Sequence, residues 1–365
     1  MFELPRYSAP DFHAEPFCNA PDVTTRLADK GTVPIDFYAT TIYPEYFKIN
    51  GEWKLIRESR MDACVVIRNN EPFAVEMRNI RQGDMVVCGR SDDGTNGVFV
   101  HTDGFTDPQQ ITDESGTFAF RTGKSRETSA SRDYDKLCDL LRYEKEHGNI
   151  LWVMGPACVF DYDSRNSMRF LIENGYCDCL FAGNALATHD LEASVFNTAL
   201  GQDIYTKKNM YNGHYNHLHT INLVRKSGSV ADFVKEHEIH SGVMGALVDN
   251  NIPFVLAGSI RDDGPLPDVI HSVYDAQDTM RNHIRKATTV ISLATQLHSI
   301  ATGNMTPAYH IDSDNTIRPV YFYNVDVSEF AVNKLIDRGS LSVCGFVTNI
   351  QDFLVTVARN LGERK

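Results

Sequence analysis

A guanidinium and two carboxylates, those of Arg261, Asp262 and Asp263, follow an apolar run at residues 252–257. A buried strand that ends in charged side chains is the arrangement by which open α/β sheets build ligand sites at their carboxyl edge. The alternative is a solvated turn, because Asp and Gly are common turn residues. A turn is the better explanation of a lone Asp-Asp-Gly, so the functional interpretation depends on how the other strands end.

Several other predicted strands also end in small or polar residues. These strand ends include Gly155, Gly183, Asn184, Gly258, Ser259, Thr295, Asp326, Thr348 and Asn349. Small residues let a ligand approach the backbone closely, and the Asp326 carboxylate could accept hydrogen bonds from both hydroxyls of a ribose. The chain has no Gly-x-Gly-x-x-Gly fingerprint. Each glycine alone fits a structural cap, but together the strand ends predict a nucleotide or dinucleotide crevice.

Three histidines, His214, His217 and His219, lie within six residues. On a helix His214 and His217 share a face, whereas His219 does not. No Asp or Glu lies in the stretch 212–219 to complete a carboxylate-bearing site, so we predict no metal here. Imidazoles also act as acids, bases or donors to anions near neutral pH. We favour that role, with a purely structural role as the alternative.

These residues need a scaffold, and residues 30–105 predict its first part. Short β-branched or aromatic runs alternate there with turn signals, which indicates a small barrel or sandwich. The predicted strands are Phe37–Tyr43, Tyr46–Ile49, Trp53–Ile56, Ala63–Ile67, Phe73–Met77 and Met85–Cys88. Residues 91–132 are rich in Ser, Thr, Asp and Gly and lack periodicity, so we expect a long loop or linker.

From about residue 133 the predicted strands and helices alternate. The strands are Ile150–Met154, Cys177–Phe181, 252–257, Thr289–Leu293, Val320–Val325 and Ser342–Val347; helices cover about 214–226, 229–238, 241–250, 268–282 and 328–338. Another helix is predicted to open near Thr188, with Asp190 and Glu192 in its first turn, where carboxylates suit the helix dipole. The segment 297–307, which contains His298, is predicted to be a loop, with or without contact to a cofactor.

This alternation of nearly continuous apolar strands with helices predicts an α/β fold with a doubly wound parallel sheet, whose carboxyl strand ends share one edge. We expect a small β-rich domain at residues 1–130 and an α/β domain at 131–365.

The net charge of −13 makes nucleic acid an improbable partner. No apolar run reaches the roughly 18–20 residues of a membrane helix, the start lacks a signal-peptide pattern, and eight cysteines form no disulfide framework. We therefore expect a cytoplasmic protein.

Several segments resemble the ornithine cyclodeaminase family of archaea, often labelled LOR/SDH, and the C-terminal module of cyanobacterial arginine dihydrolase/ornithine cyclodeaminases. They are AGNALATHDLE at 182–192, GHYNHLHTIN at 213–222, SGVM at 241–244, PFVLAGSIRDDGPLPD at 253–268, HSI at 298–300, GNMTP at 303–307 and DRGS at 337–340. The β region matches through FYATT at 37–41, GEW at 51–53, MDAC at 61–64 and GD at 83–84. The resemblance spans roughly residues 30–360. Departures are the run 157–161, Asn212, an insert at about 309–319, and an N-terminal α/β segment that we expect to be truncated or replaced.

The resemblance implies a deoxyhypusine-synthase-like domain that holds NAD and converts L-ornithine to L-proline and ammonia. It implies that the α-carbon hydride passes to the cofactor, the δ-amine closes the ring, ammonia leaves and the hydride returns. Asp262 or Asp263 would be the general base and Arg261 would bind the α-carboxylate, with His214 and His217 as proton carriers. The residues expected to line NAD are Gly155, Gly183, Asn184, Ala185, Gly258, Ser259, Thr295, Gln296, Leu297, His298, Asn304, Met305, Asp326, Thr348 and Asn349.

Three other functions remain open on the sequence. Another NAD-dependent amino-acid dehydrogenase, of the lysine or saccharopine type, would consume NAD stoichiometrically. A non-catalytic NAD-sensing module would bind the cofactor without turnover. A metallohydrolase built on the histidine cluster would lose its activity to a chelator. Since folds of the deoxyhypusine-synthase type often form tetramers, we also expect a homo-oligomer, either a dimer or a tetramer.

Overall fold

A computed structural model describes residues 2–106, 130–336 and 342–362. Its first part contains nine short strands, which are β1 (Arg6–Tyr7), β2 (Thr24–Leu27), β3 (Glu45–Ile49), β4 (Glu52–Leu55), β5 (Cys64–Arg68), β6 (Glu71–Val75), β7 (Met85–Cys88), β8 (Val98–Val100) and β9 (Phe105–Thr106). One antiparallel sheet has the order β2-β7-β5-β6 and a second has the order β4-β3-β8. Phe47, Ile56, Val65 and Val87 form part of an apolar core that joins strands of both sheets. The predicted small β region is confirmed.

Two predictions for the β region differ from the structure. Residues 37–43 form only isolated bridges, because the Thr40 hydroxyl bonds to the Arg60 and Ala63 carbonyls and takes the place of a regular ladder. The expected loop at 91–132 instead contains β8, which pairs with β3, and β9, which pairs with β1. These strands are two or three residues long, too short for a pattern to show. The rest of that predicted loop, 107–129, lies outside the described residues.

The second part alternates strands and helices, as predicted. The helices are α1 (Ala130–His147), α2 (Tyr162–Glu173), α3 (Asn184–Phe196), α4 (Gly213–Ser227), α5 (Val230–Glu236), α6 (Gly242–Asp249), α7 (Val273–Ile284), α8 (Gln296–Met305), α9 (Glu329–Ile336) and α10 (Ile350–Gly362). The strands are β10 (Ile150–Met154), β11 (Cys179–Gly183), β12 (Thr198–Ala199), β13 (Gln202–Asp203), β14 (Phe254–Ala257), β15 (Val269–Ile270), β16 (Thr289–Leu293), β17 (Tyr309–Ile311), β18 (Ile317–Pro319), β19 (Tyr321–Asp326) and β20 (Ser342–Val347).

Seven of these strands form one parallel sheet in the order β15-β14-β11-β10-β16-β19-β20. Every residue of β10 and β16 is buried, which explains their continuous apolar sequences. From β10 the chain builds outward through β11, β14 and β15, and it then returns to place β16 on the other side of β10. The direction of the strand order therefore reverses between β10 and β16. The predicted α/β class and parallel sheet are confirmed.

Two local predictions in this part are wrong, and the polar insert forms regular structure. Residues 297–305 belong to α8 rather than to a loop, and the Gly303-Asn304 sequence lies inside the helix. The predicted helix at 268–282 begins only at Val273, because β15 first adds a strand to the sheet edge. The polar insert at about 309–319 forms the hairpin β17–β18, and the Tyr309 hydroxyl donates to the Ile56 carbonyl of the β region. The division of the chain at about residue 130 stays a prediction.

The start of α3 also differs from the prediction. The helix begins at Asn184, directly after β11, so Asp190 and Glu192 lie in its middle and are fully buried. The Asp190 side chain caps the N-terminus of α6 rather than that of its own helix, α3. Its Oδ2 accepts from the Met244 backbone N–H at 2.7 Å and its Oδ1 from that of Val243 at 3.0 Å, both in the first turn of α6. Oδ1 also accepts from Arg165 Nε of α2 at 2.7 Å.

None of the helices in the described ranges is both long and apolar enough to cross a bilayer.

We expect Asp190→Ala to lower the free energy of unfolding by about 3–5 kcal/mol, because it leaves the Arg165 guanidinium buried without a counter-charge. The side chains of this pair are only 4% and 0% exposed. Glu173→Ala is the control, since the Arg169–Glu173 pair is exposed and its loss should cost no more than about 1 kcal/mol. Urea unfolding followed by circular dichroism measures both. Equal effects of the two substitutions would contradict a special role for Asp190.

Candidate functional site

A cavity of about 780 Å³ lies at the carboxyl ends of β10, β11, β14 and β16. This is the point where the strand order reverses, which is where open α/β sheets bind their ligands. The residues that line the cavity are Met154, Gly155, Pro156, Phe160, Gly183, Asn184, Ala185, Leu186, His189, Leu200, His217, Leu218, Ile221, Ala257, Ser259, Arg261, Asp262, Asp263, Gly264, Thr295, Leu297 and His298. The volume is in the range of ordinary small-molecule sites.

Glycines make close backbone approach possible on the floor of this cavity. A Cβ built on Gly155 would lie 2.1 Å from the carbonyl oxygen of Ala294, and one built on Gly183 would lie 3.1 Å from His298 Cε1. Ala294 itself has a φ of 49°, a left-handed conformation that is uncommon for a residue with a side chain. The chain therefore maintains an unusually tight crossing at the reversal point, with no room for a side chain on Gly155 and little room for one on Gly183.

Two helices begin at the cavity without a side-chain cap. Gly183 precedes α3 and Thr295 precedes α8, and neither residue caps its helix with a side-chain hydrogen bond. The free N–H groups and the dipole of such termini favour anions such as a pyrophosphate. Together with the glycine floor, this arrangement fits the dinucleotide predicted from the strand ends.

The charged loop after β14 forms one wall of the cavity. Arg261, Asp262 and Asp263 all line it, as the sequence predicts. Asp262 Oδ2 accepts from the Ser259 backbone N–H at 2.9 Å, which fixes the turn. The neighbouring His298 ring is mostly buried; burial lowers the pKa of His298, and the Asp262 charge partly opposes that shift. His298 is therefore held toward its neutral form beside a carboxylate.

Asn184 connects the start of α3 to this charged loop. Its Oδ1 accepts from the Leu266 backbone N–H at 3.0 Å and from the Thr188 hydroxyl at 3.2 Å. Asn184 lines the cavity as predicted, but its side-chain oxygen is already used to position the loop.

The structure places His214, His217 and His219 in different surroundings. His217 lines the cavity and is half-buried, whereas His214 is exposed and lies outside the lining. The two were expected on one face, and both lie near the start of α4, but it is the His217 ring that packs against His189 of α3. His219 packs against Phe196 and Tyr215 instead.

Two site residues were not found from the sequence, His189 and Glu192 of α3. The ring and carboxylate atoms of His189, Glu192 and His217 lie within 4.8 Å of one another. Glu192 thus provides the carboxylate that the stretch 212–219 lacks, from a different helix. The available signal was the spacing of three between His189 and Glu192, which puts both on one face of a helix, and assigning Glu192 to a first helical turn obscured it.

Several residues predicted to contact a cofactor lie outside this cavity. Asn304 Nδ2 donates to Asp62 of the β region at 3.2 Å, and Met305 is buried in an apolar core, because the segment is helical and places both residues nearly two turns along α8 from His298. Gly258 packs against β15, and Gln296 is exposed at the start of α8. Asp326 Oδ1 accepts from the Ser328 N–H, Asn349 Oδ1 accepts from the Gln351 N–H at the start of α10, and the Thr348 N–H donates to the Asp326 carbonyl. These three follow β19 and β20 on the same sheet edge. The ligand roles of all predicted site residues stay predictions.

Two family models match the chain. The first region of the arginine dihydrolase ArgZ-like C-terminal part matches residues 44–132, and the Rossmann fold of that C-terminal part matches residues 136–357. An ornithine cyclodeaminase of Methanopyrus kandleri is 36% identical over 98% of this chain and 82% of that protein. The chain belongs to the archaeal-type ornithine cyclodeaminase family.

Solved structures agree with this membership. The crystal structure of a LOR/SDH protein from Methanococcus maripaludis superposes on this chain with a TM-score of 0.81. The two are 32% identical, and the match covers 93% of this chain and 98% of that one. A ternary complex of AgrE with ornithine and NAD⁺ matches with a TM-score of 0.57 and 30% identity, over 94% of this chain and 46% of that one. The resemblance read from the sequence is confirmed.

We expect Gly183→Ala in this family member to weaken NAD binding about tenfold, because the methyl group would crowd the cavity floor beside His298. Gly362→Ala is the matched control, since a Cβ there would approach Phe170 at a similar 3.3 Å but far from the cavity. A titration of NAD by calorimetry measures both variants. Unchanged affinity in Gly183→Ala would show that the floor does not contact the cofactor.

Proposed function

We propose that this protein is an NAD-dependent ornithine cyclodeaminase that converts L-ornithine to L-proline and ammonia. One observation carries the proposal: the cavity at the strand-order reversal is lined both by Arg261, Asp262 and Asp263 and by the glycines and helix starts that suit a dinucleotide. The relatives named ornithine cyclodeaminase and the AgrE complex with ornithine and NAD⁺ support the same substrate and cofactor.

The floor of the cavity would hold NAD. Gly155 and Gly183 line this floor, and the uncapped starts of α3 and α8 would donate to the pyrophosphate. When bound, NAD supplies a hydride acceptor that returns the same hydride within one turnover, so no external oxidant is consumed. Asp326, Thr348 and Asn349 follow the next two strands along the edge and are available to the more distant part of an extended dinucleotide.

The charged loop would hold ornithine. Arg261 offers a planar, bidentate donor to the α-carboxylate, and Asp262 and Asp263 offer carboxylates to the ammonium groups. One of the two would take a proton, as the resemblance implies. The Asp262 carboxylate already accepts from Ser259, whereas Asp263 lies exposed at the cavity wall, so Asp263 has greater freedom to reach a substrate.

Assembly and location are part of the same proposal. Large apolar side chains are exposed close to the cavity mouth, at Leu200, Tyr205, Met210, Tyr211, Tyr215 and Leu218, which is typical of a protein–protein contact surface. We propose a homo-oligomer, dimer or tetramer, which sedimentation analysis would measure. None of the eight cysteines, all of which lie in the described ranges, forms a disulfide; a reducing compartment maintains that state, and this supports the proposed cytoplasmic location.

We expect the purified protein to release L-proline and ammonia in equal amounts from L-ornithine without accumulating NADH. Mass spectrometry of the denatured protein should identify the bound nucleotide as NAD. Stoichiometric formation of NADH would instead identify an amino-acid dehydrogenase. Bound NAD without turnover of any diamino acid would identify a sensing module, and complete loss of turnover with a chelator would identify a metalloenzyme.

We expect Arg261→Gln to raise the KM for ornithine about tenfold or more with a smaller change in kcat, because a lost carboxylate contact weakens binding in the ground and transition states alike. Arg169→Gln is the control, since that guanidinium is exposed on α2 and pairs with Glu173. Steady-state kinetics with NAD in excess measure both variants. An unchanged KM in Arg261→Gln would remove this residue from the substrate site.

A further inference from the structure

A buried chain of polar groups extends from the cavity wall into the protein through α3. Glu192 is 0% exposed and His189 only 4%, so both side chains are almost completely shielded from solvent. His189 Nδ1 lies 2.8 Å from Glu192 Oε2, and the Thr198 hydroxyl donates to Glu192 Oε1 at 2.7 Å. Asn216 Nδ2 donates in turn to the Thr198 hydroxyl at 3.0 Å. Buried polar groups that are fully bonded in this way hold one geometry.

These bonds fix which nitrogen of His189 carries the proton. A carboxylate only accepts hydrogen bonds, so Nδ1 must be the donor to Glu192. In the neutral ring Nε2 is then left as a free acceptor. The His189 ring lines the cavity, and the edge contact of Phe160 on this ring, at 5.6 Å between centroids, restricts its rotation. The arrangement is that of an imidazole general base oriented by a carboxylate.

His217 extends this pair toward solvent. Its ring lies 5.2 Å from the His189 ring, at an interplanar angle of 33°, and it also lines the cavity. Burial lowers the pKa of His217; the neighbouring His189 lowers it further, and the Glu192 carboxylate opposes both. These effects together favour the neutral His217 ring, which can accept a proton, and Glu192 is the charge that would stabilise a proton on either ring.

The charge balance of the proposed reaction requires such a proton carrier. The ornithine cation has one net positive charge, proline has none, and the released ammonium ion has one. No proton is therefore gained or lost overall. The amino groups must nevertheless lose protons before the α-carbon can be oxidised and before the Nδ–Cα bond can form. When the Nα–Cα bond breaks the leaving nitrogen must regain a proton, and the ring nitrogen of proline regains one after the hydride has returned, so that both protons are accounted for.

We propose that the His189–Glu192 pair, together with His217, is the catalytic proton store, which takes the proton from the substrate ammonium and returns it to the departing ammonia. This inference rests on the proposed function. His189 and His217 are the catalytic residues, because their rings face the substrate cavity, and Glu192 is a positioning residue that acts through His189. On this inference the general-base role passes from Asp262 or Asp263 to the two imidazoles, and the two carboxylates bind the ammonium groups.

Glu192→Gln tests the pair, since the amide keeps the shape of the side chain and removes its charge. We expect kcat for ornithine to fall about 10²-fold or more, with the KM for ornithine and the affinity for NAD nearly unchanged. The acidic limb of the kcat profile should move to lower pH, because the imidazolium loses the carboxylate that stabilises it. A purely structural role would lower the plateau and leave the limb in place.

His217→Gln gives a second test that does not disturb the buried pair, and His219→Gln on the same helix is its control. We expect kcat to fall at least about tenfold in the first variant and to stay unchanged in the second. The double variant His217→Gln/Glu192→Gln should be little slower than Glu192→Gln alone, because groups that act as a unit are not additive.

Three results would overturn the inference. The proposed function survives each of them as long as the unsubstituted protein converts ornithine. One is a kcat within about threefold of the unsubstituted value in Glu192→Gln. Another is an equal loss in His219→Gln and His217→Gln. The third is a bound divalent metal, found by elemental analysis and lost with the activity on chelation, because His189, Glu192 and His217 would then be its ligands. If the unsubstituted protein does not convert ornithine, the proposed function itself fails.

Discussion

The buried Asp190 carboxylate is the interaction on which the geometry of the α/β part depends. It lies in the middle of α3 and receives the Arg165 guanidinium of α2 and two backbone N–H groups of α6. A carboxylate in a low-dielectric interior is tolerated only when paired and hydrogen-bonded, so the three helices must meet in one way. The axial position and rotation of α3 are thereby fixed, and α3 carries much of the candidate site.

The polar residues of α3 each contact a different neighbour. Asn184 positions the charged loop, His189 faces the cavity, and Glu192 supports His189 from behind. An otherwise apolar helix thus carries several buried polar groups, each bonded to a partner. Because they share one rigid backbone, a rotation of α3 would displace the loop, the imidazole and its carboxylate together.

Much of this architecture could be predicted from the sequence. The continuous apolar strands and the small residues at their ends predict the parallel sheet and the cavity at its edge, since both depend on local patterns. The pairing of His217 with Glu192 could not be predicted, because the two residues are 25 positions apart and meet only through the packing of α4 on α3.

Asp190 was misassigned because a carboxylate near a predicted helix start resembles a capping residue, whereas the helix end it caps belongs to α6. The helical state of residues 297–305 was missed since Gly303 and Asn304 are typical of turns, and the contacts of Asn304 with Asp62 lie in a distant part of the chain.

The same contact gives α8 two fixed ends. His298, in its first turn, lies against the cavity floor, and Asn304, in its last turn, bonds to Asp62 of the β region. A helix of ten residues is a stiff rod about 15 Å long. The β region and the imidazole of His298 consequently cannot move independently: any shift of one either carries the other along the helix axis or breaks the bond between Asn304 and Asp62.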